Sequence, residues 1–303
     1  PGYETAEIAM DPSGYVVARV GVSPHGQGLR TTLAQIIADG LGVLPERVRI
    51  VHGDTDHTPY GWGTFASRSL VISGGACKLA ADGLRKRIAA IAGSLLEAAA
   101  ADIELADGQA RVKGTDKAIE IARVARVAYQ QSNRIEGAPG LRETATYDPE
   151  GTFSNACHAA IVEVDLATGG VMLRRFVVAE DAGILVNPMI VDGQVHGGVV
   201  QGIANALYEE IKYDEYGNLL TTSLADYLPP TLAEVPEIEI HHFETLSDAT
   251  ITKSKGVGEG GAIGAPAAVV NAIVDALSPF GIEFYEMPVT PPRIRQKLRE
   301  ANA

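Results

Sequence analysis

The pattern of hydrophobic and polar positions changes from alternation to a helical period near the start of the chain. Residues Glu4 to Val22 alternate around a turn at residues 11–14, and this pattern predicts a β-hairpin. Over residues 31–41 the leucines and isoleucines recur on one helical face, so a helix is predicted there. Thr31 or Thr32 is expected to lie close to its N-cap, where a hydroxyl accepts a hydrogen bond from a backbone amide.

The rest of the first half alternates between short strands and helices. A strand is predicted over residues 48–52 and a helix over residues 73–101. Residues 103–128 predict a hairpin followed by a short helix. Residues 130–151 contain two prolines, several glycines and little periodicity, so the internal boundary is placed there. The predicted domains are residues 1–140 and 141–303.

The second half repeats the order of the first. Its predicted elements are strands at 158–165 and 172–179, a helix at 191–210, a hairpin at 211–222, a strand at 237–243, and helices at 267–277 and 293–299. We therefore expect an α+β fold with two similar subdomains, each a small mixed sheet covered by helices.

Composition excludes several classes of protein. A net charge of −13 argues against a nucleic-acid surface. No run of eighteen uninterrupted apolar residues occurs, so no membrane span is expected. Cys77 and Cys157 lie far apart without metal-ligand spacing, and both are expected to be small buried residues. The N-terminus has neither an initiator Met nor a signal pattern, which suggests a chain cut from something longer.

The glycine-rich stretch from Lys255 to Pro266 carries one carboxylate, Glu259. Its glycines satisfy the dinucleotide-binding fingerprint. A pyrophosphate site should not place a carboxylate at the helix N-terminus, and too little chain follows for the rest of a dinucleotide-binding half. One alternative is a glycine-rich connector with a solvated Glu. The other, which we favour, is a backbone that approaches a bulky group and projects a single base.

Two further glycine-bounded stretches precede predicted helices. Residues 25–28 place Gln27 between Gly26 and Gly28, so the backbone can approach a ligand while an amide offers donors and an acceptor. Residues 61–69 combine hydroxyls with Arg68, as a phosphate site requires. For both stretches the alternative is an ordinary surface loop.

A third glycine-bounded stretch, residues 192–198, contains Gln194 and His196. The histidines of the chain are scattered, and the adjacent His241 and His242 would point to opposite faces of a strand, so a His-based metal site is not expected. A thiol nucleophile is not expected either, because neither cysteine has a histidine partner nearby in sequence.

The order of these motifs is more specific than any of them alone. Gly-Gln-Gly precedes a Thr-Thr-x-x-Gln helix, and Ser-Arg-Ser precedes a Gly-Gly-Ala helix. Asn-Pro, Gly-Gln-x-x-Gly-Gly and Gly-x-Gly-Glu-Gly-Gly follow in turn. This order resembles the C-terminal part of the molybdenum-binding large subunit of the xanthine oxidase and carbon monoxide dehydrogenase family of molybdenum hydroxylases. The resemblance covers essentially the whole chain.

The resemblance implies a molybdenum ion held by the dithiolene of a molybdopterin, with no protein metal ligand. Glu259 matches the family's catalytic base, and desolvation is expected to raise the pKa of a base buried in such a site. Gln27 matches the glutamine that bonds an oxygen ligand of the metal, and Gln194 matches a pterin contact. The remaining cofactor-binding positions implied are Gly26, Gly28, Thr31, Thr32, Phe65, Ala66, Ser67, Arg68, Ser69 and Gly258.

The resemblance also implies partners. The cofactor is expected in its cytosine dinucleotide form, with iron-sulfur clusters and FAD on small and medium subunits of a cytoplasmic complex. The family's N-terminal half is absent from this chain, so that half is an expected partner and the isolated chain is expected to expose apolar faces. The alternative is a non-catalytic molybdopterin-binding or scaffold module, against which the carboxylate of Glu259 argues.

Overall fold

The fold was obtained as a computed structural model that describes residues 2–131, 133, 135 and 137–301. The chain forms two compact units, and each draws on three segments. The first unit comprises Pro1–Thr152, Ile184–Asn187 and Leu246–Gly256. The second comprises Phe153–Gly183, Pro188–Thr245 and Val257–Ala303.

The first unit is built around a mixed sheet. Its strands are β1 (Glu4–Met10), β2 (Val16–Val20), β3 (Val48–Val51), β4 (Ile103–Ala106), β5 (Gln109–Val112), β6 (Ala118–Glu120) and β7 (Leu141–Tyr147). Its helices are α1 (Leu29–Leu41), α2 (Ser69–Leu96) and α3 (Ile121–Gln130). The main sheet has the order β3-β2-β1-β7, with β2 and β3 parallel, while β4, β5 and β6 form a separate antiparallel sheet.

The core of the first unit follows from the alternation along its hairpin. Every second side chain of β1, including Ile8 and Met10, is buried. These side chains belong to one apolar cluster with Leu33 and Ile37 of α1 and Leu84 of α2. The sheet and its two covering helices therefore form the layers that the periodicity predicts.

The second unit repeats this arrangement. Its strands are β8 (Asn155–Val164), β9 (Val171–Asp181) and β10 (Ile238–Phe243), and its helices are α4 (Pro188–Leu207), α5 (Gly260–Leu277) and α6 (Pro291–Ala301). In each unit an antiparallel hairpin leads into a helix, a third strand parallel to the second, and another helix. The expected α+β class with two small mixed sheets is confirmed.

Several predicted boundaries were wrong. Helix α5 begins at Gly260 rather than at residue 267, and α2 begins at Ser69 rather than at residue 73. Residues 211–222 form only an isolated bridge between Tyr213 and Leu219 instead of a hairpin of strands. Cys157 is exposed, whereas Cys77 is buried as expected.

Strand β7 lies in the stretch that was interpreted as irregular. It pairs with β1 along its whole length, from Leu141 opposite Met10 to Tyr147 opposite Glu4. The first compact unit accordingly extends to Thr152, beyond the boundary predicted after residue 140.

Helices α4 and α5 approach each other closely. A Cβ atom built on Gly198 would lie 2.9 Å from the backbone of Gly261, and one on Gly202 would lie 2.6 Å from the Cβ atom of Ala265. Glycine at these positions therefore allows two helix backbones to pack at a distance that larger side chains would prevent.

Helix α5 is also the most apolar helix of the second unit. Among the described residues, Gly260–Phe280 is long and apolar enough, by length and composition alone, to cross a membrane. The buried positions of α5 include Ala265, Val269 and Ile273, which recur every four residues as in a helix packed on one side. The expectation of no membrane span is therefore not confirmed.

His158 on β8 packs against the middle of α5. Its ring lies edge-on to Phe176, with centroids 5.7 Å apart, and a Cβ atom on Gly264 would lie 2.9 Å from the ring. Burial lowers the pKa of His158 below its ordinary value because the charged imidazolium is poorly solvated there.

We expect a Gly198→Ala substitution to lower the free energy of unfolding by about 1–3 kcal/mol, because the new methyl group would overlap the α5 backbone. Gly197→Ala is the matched control, since nothing lies within 4 Å of its Cβ position. That change should raise stability by about 0.5–1 kcal/mol, as alanine is the better helix former. Urea unfolding of both variants tests this, and equal effects would contradict the close approach.

Protonation of His158 is expected to destabilise the second unit. Since the pKa of His158 is lower in the folded state, the unfolded state binds more protons as the pH falls below about 6.5. Stability should therefore fall between about pH 7 and 5, and a His158→Gln variant should lose part of this slope. The exposed His241 provides the control substitution, His241→Gln. An unchanged slope in His158→Gln would contradict the prediction.

Candidate functional site

Two loops of the first unit lie side by side at the carboxyl ends of parallel strands. Residues 21–28 follow β2 and lead into α1, and residues 52–68 follow β3 and lead into α2. The Thr64 hydroxyl donates to the carbonyl oxygen of Ser23 at 2.6 Å. Loops at the carboxyl ends of parallel strands are common ligand sites in α/β sheets. The structure thus brings together two of the motifs that the sequence separated.

The side-chain amide of Gln27 is fixed at one end only. Its Oε1 accepts a hydrogen bond from the His25 backbone N–H at 2.8 Å. Its Nε2 is buried and has no hydrogen-bond partner among the described residues. A buried donor without a partner is costly and indicates a site for an acceptor.

Neither Thr31 nor Thr32 caps helix α1, which corrects the expectation from sequence. Gly28 occupies the N-cap in a left-handed conformation, with φ 75°. The backbone amides of both threonines donate to the Gly28 carbonyl oxygen, and the Thr32 hydroxyl donates to the carbonyl oxygen of Leu29. Thr31 is exposed and Thr32 is buried.

A buried ion pair organises the second loop. Glu4 is completely buried, and its Oε1 lies 2.5 Å from Nη1 of Arg68. The same oxygen accepts hydrogen bonds from the backbone amides of Trp62 and Gly63. A Cβ atom on Gly61 would lie 2.1 Å from the other carboxylate oxygen. Only glycine at position 61 therefore leaves room for the loop to pack against the Glu4 carboxylate.

This arrangement corrects the expectation that Arg68 offers its charge to a phosphate group. Its guanidinium is 3% exposed, and besides Glu4 it donates to the carbonyl oxygens of Gly63, Tyr3 and Gly2. It also lies 5.2 Å from the ring centroid of the half-exposed Phe65. Arg68 shapes the loop from inside the fold.

The residues between Phe65 and Arg68 adopt a rare conformation. Ala66 and Ser67 have φ values of 49° and 53°, in the left-handed region that non-glycine residues seldom adopt. Each such residue costs about 1–3 kcal/mol, so the surrounding contacts must hold them there. Gly256 contributes, because a Cβ atom on it would lie 2.5 Å from the Ser67 carbonyl oxygen. Ser69 donates from its hydroxyl to Thr64.

The second unit places its motifs at the same positions relative to its own sheet. Strands β9 and β10 are parallel, and their carboxyl ends lead towards α4 and α5. Gln194 is half-buried in the second turn of α4. Glu259 occupies the N-cap of α5 and follows the exposed Gly258.

Glu259 is exposed in the described chain. The expectation was a base buried in its site, and the described residues alone do not bury this carboxyl group. The helix also begins directly after Glu259 rather than several residues later, so the side chain is carried by a fixed helix terminus.

Sequence reasoning gave no structural role to three polar residues that the structure uses. Glu4 stands at an inward position of an alternating strand, where a charged residue is a signal of a buried ion pair. Asn187 of the Asn-Pro motif donates from its side-chain amide to Gln35 at 3.0 Å, which links two of the motifs. His242 was considered only as a metal ligand, and it lies within 3.1 Å of two carboxylates that the sequence did not connect with it.

In the part of the chain that the structure describes, neither unit arranges its acidic, histidine or cysteine side chains as a metal site. Over the described ranges, no group of three or more His, Cys, Asp or Glu side chains is arranged to hold a metal ion. Burial raises the pKa of the Cys77 thiol to about 12, which disfavours its thiolate.

Comparison with known proteins finds one matching family model and several similar sequences. Residues 1–236 match the model of the molybdopterin cofactor-binding domain. The chain is 45% identical over 296 residues to the nicotine 6-hydroxylase large subunit of Paenarthrobacter nicotinovorans, covering 96% of this chain and 36% of that protein. It is 37% identical over 303 residues to the carbon monoxide dehydrogenase large chain of Hydrogenophaga pseudoflava, covering 99% and 38%.

The fold is shared with a solved structure. The crystal structure of quinoline 2-oxidoreductase from Pseudomonas putida 86 superposes with a TM-score of 0.93 at 43% identity, over 99% of this chain and 38% of that one. The chain thus spans a little over a third of the length of the relatives it matches.

We expect removal of the Glu4 charge to release the second loop. A Glu4→Gln substitution leaves the Arg68 guanidinium buried without a counter-charge, which should lower the free energy of unfolding by about 3–5 kcal/mol. Glu163→Gln is the control, because its ion pair with Arg174 is exposed and should contribute about 1 kcal/mol or less. Chemical unfolding measures both, and similar losses would contradict the role given to Glu4.

Proposed function

Because the chain belongs to the family of molybdopterin cofactor-binding domains, we propose that it is part of the large subunit of a molybdenum hydroxylase. Such an enzyme oxidises a substrate carbon with oxygen taken from water. The observation that carries the proposal is the buried Nε2 of Gln27, which has no partner in the described part of the chain and needs an acceptor.

The residues present fit such a cofactor. Gln27 offers a fixed donor, and the Cβ position of Gly26 is open, with nothing within 4 Å. The two adjacent loops of the first unit offer backbone amides at the ends of parallel strands, which suit an anionic group. When bound, the molybdenum cofactor would accept the two electrons released by the substrate carbon.

Each predicted contact would have a separate task. Gln27 would donate from Nε2 and so orient the cofactor. The loop from Phe65 to Ser69 would wrap the pterin and its phosphates through its backbone groups, since the Arg68 charge is paired with Glu4 and the Ser69 hydroxyl donates to Thr64. Gly28 would contribute its backbone amide and the exposed Thr31 its hydroxyl, whereas the buried Thr32 would hold the first turn of α1, because the backbone amides of both threonines already bond to the Gly28 carbonyl oxygen. Gln194 would bond the pterin from the second unit.

Glu259 would act as the general base. A carboxylate at a fixed helix terminus can take a proton from the water that supplies the product oxygen, so that this oxygen attacks the substrate carbon as a better nucleophile. Gly258, just before it, would let a bulky group approach. Additional chain would have to cover Glu259, because the described residues leave it exposed.

We also propose an aromatic N-heterocycle as the substrate. Nicotine 6-hydroxylase and quinoline 2-oxidoreductase, whose names state such substrates, are 45% and 43% identical to the chain. The carbon monoxide dehydrogenase large chain is 37% identical. A screen of N-heterocycles, aldehydes and carbon monoxide with the native protein would separate these classes, and turnover of carbon monoxide alone would contradict the assignment.

Partners belong to the same proposal. The nicotine 6-hydroxylase large subunit and the carbon monoxide dehydrogenase large chain are large components by name, which supports a multi-subunit complex. Its further subunits would carry the iron-sulfur clusters and FAD. Exposed apolar side chains on the second unit, among them Leu232 at 93% and Leu224 at 74%, support burial against the rest of the protein. The cytosine dinucleotide form of the cofactor and a cytoplasmic location stay predictions, and release of cytidine monophosphate by acid would test the former.

A Glu259→Gln substitution tests the function directly. It keeps the size of the side chain and removes its basicity, so kcat should fall by roughly 10²–10⁴-fold while the molybdenum content is unchanged. Glu215→Gln is the control, because it makes the same change at an exposed turn position of the same unit. Full turnover by Glu259→Gln with molybdenum bound would favour the alternative, a non-catalytic molybdopterin-binding module.

A further inference from the structure

A histidine bridges two carboxylates in the second unit. His242 on β10 lies with Nε2 at 2.7 Å from Oδ1 of Asp192 on α4, and with Nδ1 at 3.1 Å from Oε1 of Glu180 on β9. Glu180 is 4% exposed, whereas the Asp192 side chain is half-exposed. The ring therefore ties the start of α4 to the two parallel strands beneath it.

Glu180 is the buried partner in this bridge. Burial raises the pKa of the Glu180 carboxyl, and the neighbouring His242 ring opposes that rise. The contact between them is short but is not aligned as a hydrogen bond. The aligned bond joins Nε2 of His242 to Oδ1 of Asp192, and in it the ring donates because a carboxylate only accepts.

Helix α4 depends on such a bond because its sequence forms helix poorly. Gly193 and Gly197 lie within its first half and Gly198 follows directly, and glycine is the weakest helix former after proline. The close approach to α5 begins at Val195, because a Cβ atom on Gly261 would lie 2.6 Å from the Val195 carbonyl oxygen, and nothing lies within 4 Å of the Cβ positions of Gly193 and Gly197. Ahead of that approach, the Asp192 side chain is bonded to the sheet.

The same strand ends are pinned a second time. Oδ1 of Asp181 accepts hydrogen bonds from the backbone amides of Gly183 at 2.9 Å and of Thr245 at 3.1 Å. The chain leaving β9 and the chain leaving β10 are thus held together next to the His242 bridge. Two sets of contacts therefore hold the strand ends next to the start of α4.

We propose that His242 is a positioning residue that fixes the first turns of α4 and, through them, the amide of Gln194. Residues two positions apart point to different sides of a helix. The bond at Asp192 therefore sets the rotation of the turn and leaves Gln194 on another side. The role of Gln194 towards the cofactor rests on the proposed function, whereas the bridge itself does not.

Hydrogen exchange of the native protein tests the bridge without reference to the cofactor. A His242→Leu variant should exchange the amides of residues 190–198 faster by on the order of tenfold, the loss expected for one hydrogen bond to a charged group. His241→Leu is the matched control, since it changes the exposed neighbour on the same strand. Equal exchange in the two variants would overturn the proposal.

Substitutions at Asp192 test the bond from the side of α4 and leave the His242 ring beside Glu180. Asp192→Asn keeps an acceptor for His242 and should retain slow exchange, whereas Asp192→Ala should behave like His242→Leu. In a double variant, His242→Leu should add little to the effect of Asp192→Ala, because both remove the same bond. Full additivity would overturn the proposal.

Molybdenum content separates positioning from general stability. His242→Leu should lower the molybdenum bound per chain, and the same substitution in a Gln194→Ala background should lower it no further, because the effect acts through Gln194. A further loss in that background would overturn the positioning role. If the unmodified protein contains no molybdenum, the proposed function fails together with the cofactor part of this inference. Unchanged exchange in a molybdenum-loaded protein overturns this inference alone.

Discussion

The buried carboxylate of Glu4 is the contact on which the first unit's loops depend. It accepts hydrogen bonds from two backbone amides and from the Arg68 guanidinium. The loop of residues 52–68, which follows β3, is therefore anchored by a buried side chain. Removal of Arg68 would strongly destabilise the fold, since a buried charge without a counter-charge is strongly unfavourable. The left-handed backbone of Ala66 and Ser67 is stable only because this pair and Gly256 fix the chain on both sides.

The two units use one structural plan. In each, two parallel strands end at the same edge of a sheet, and the chain leaving each strand leads towards a helix that carries a proposed functional residue. The first unit supplies Gln27 with a donor that no described residue satisfies, and the second supplies Glu259 at a helix terminus. We propose that the protein contributes hydrogen bonds and a base and that the cofactor contributes the metal.

Periodicity predicted the elements whose apolar side chains face a core, such as β1 with Ile8 and α1 with Ile37. Periodicity failed at residues 260–264. These residues are helical because glycine lets them pack closely on α4, and not because of their helix propensity. The order of the glycine-bounded motifs located both loops of the first unit. The use of Arg68 could not be predicted, because its partner lies 64 residues away and sequence alone does not reveal that pairing.

Diffraction at the molybdenum absorption edge from crystals of the native protein tests the central claim most directly. The account predicts an anomalous peak beside the first unit's loops, with an oxygen ligand of the metal within hydrogen-bonding distance of Gln27 Nε2. Absence of molybdenum, or a Gln27 amide whose donor is satisfied by the protein itself, would contradict it. Either outcome would leave the fold unchanged and remove the reason for the proposed chemistry.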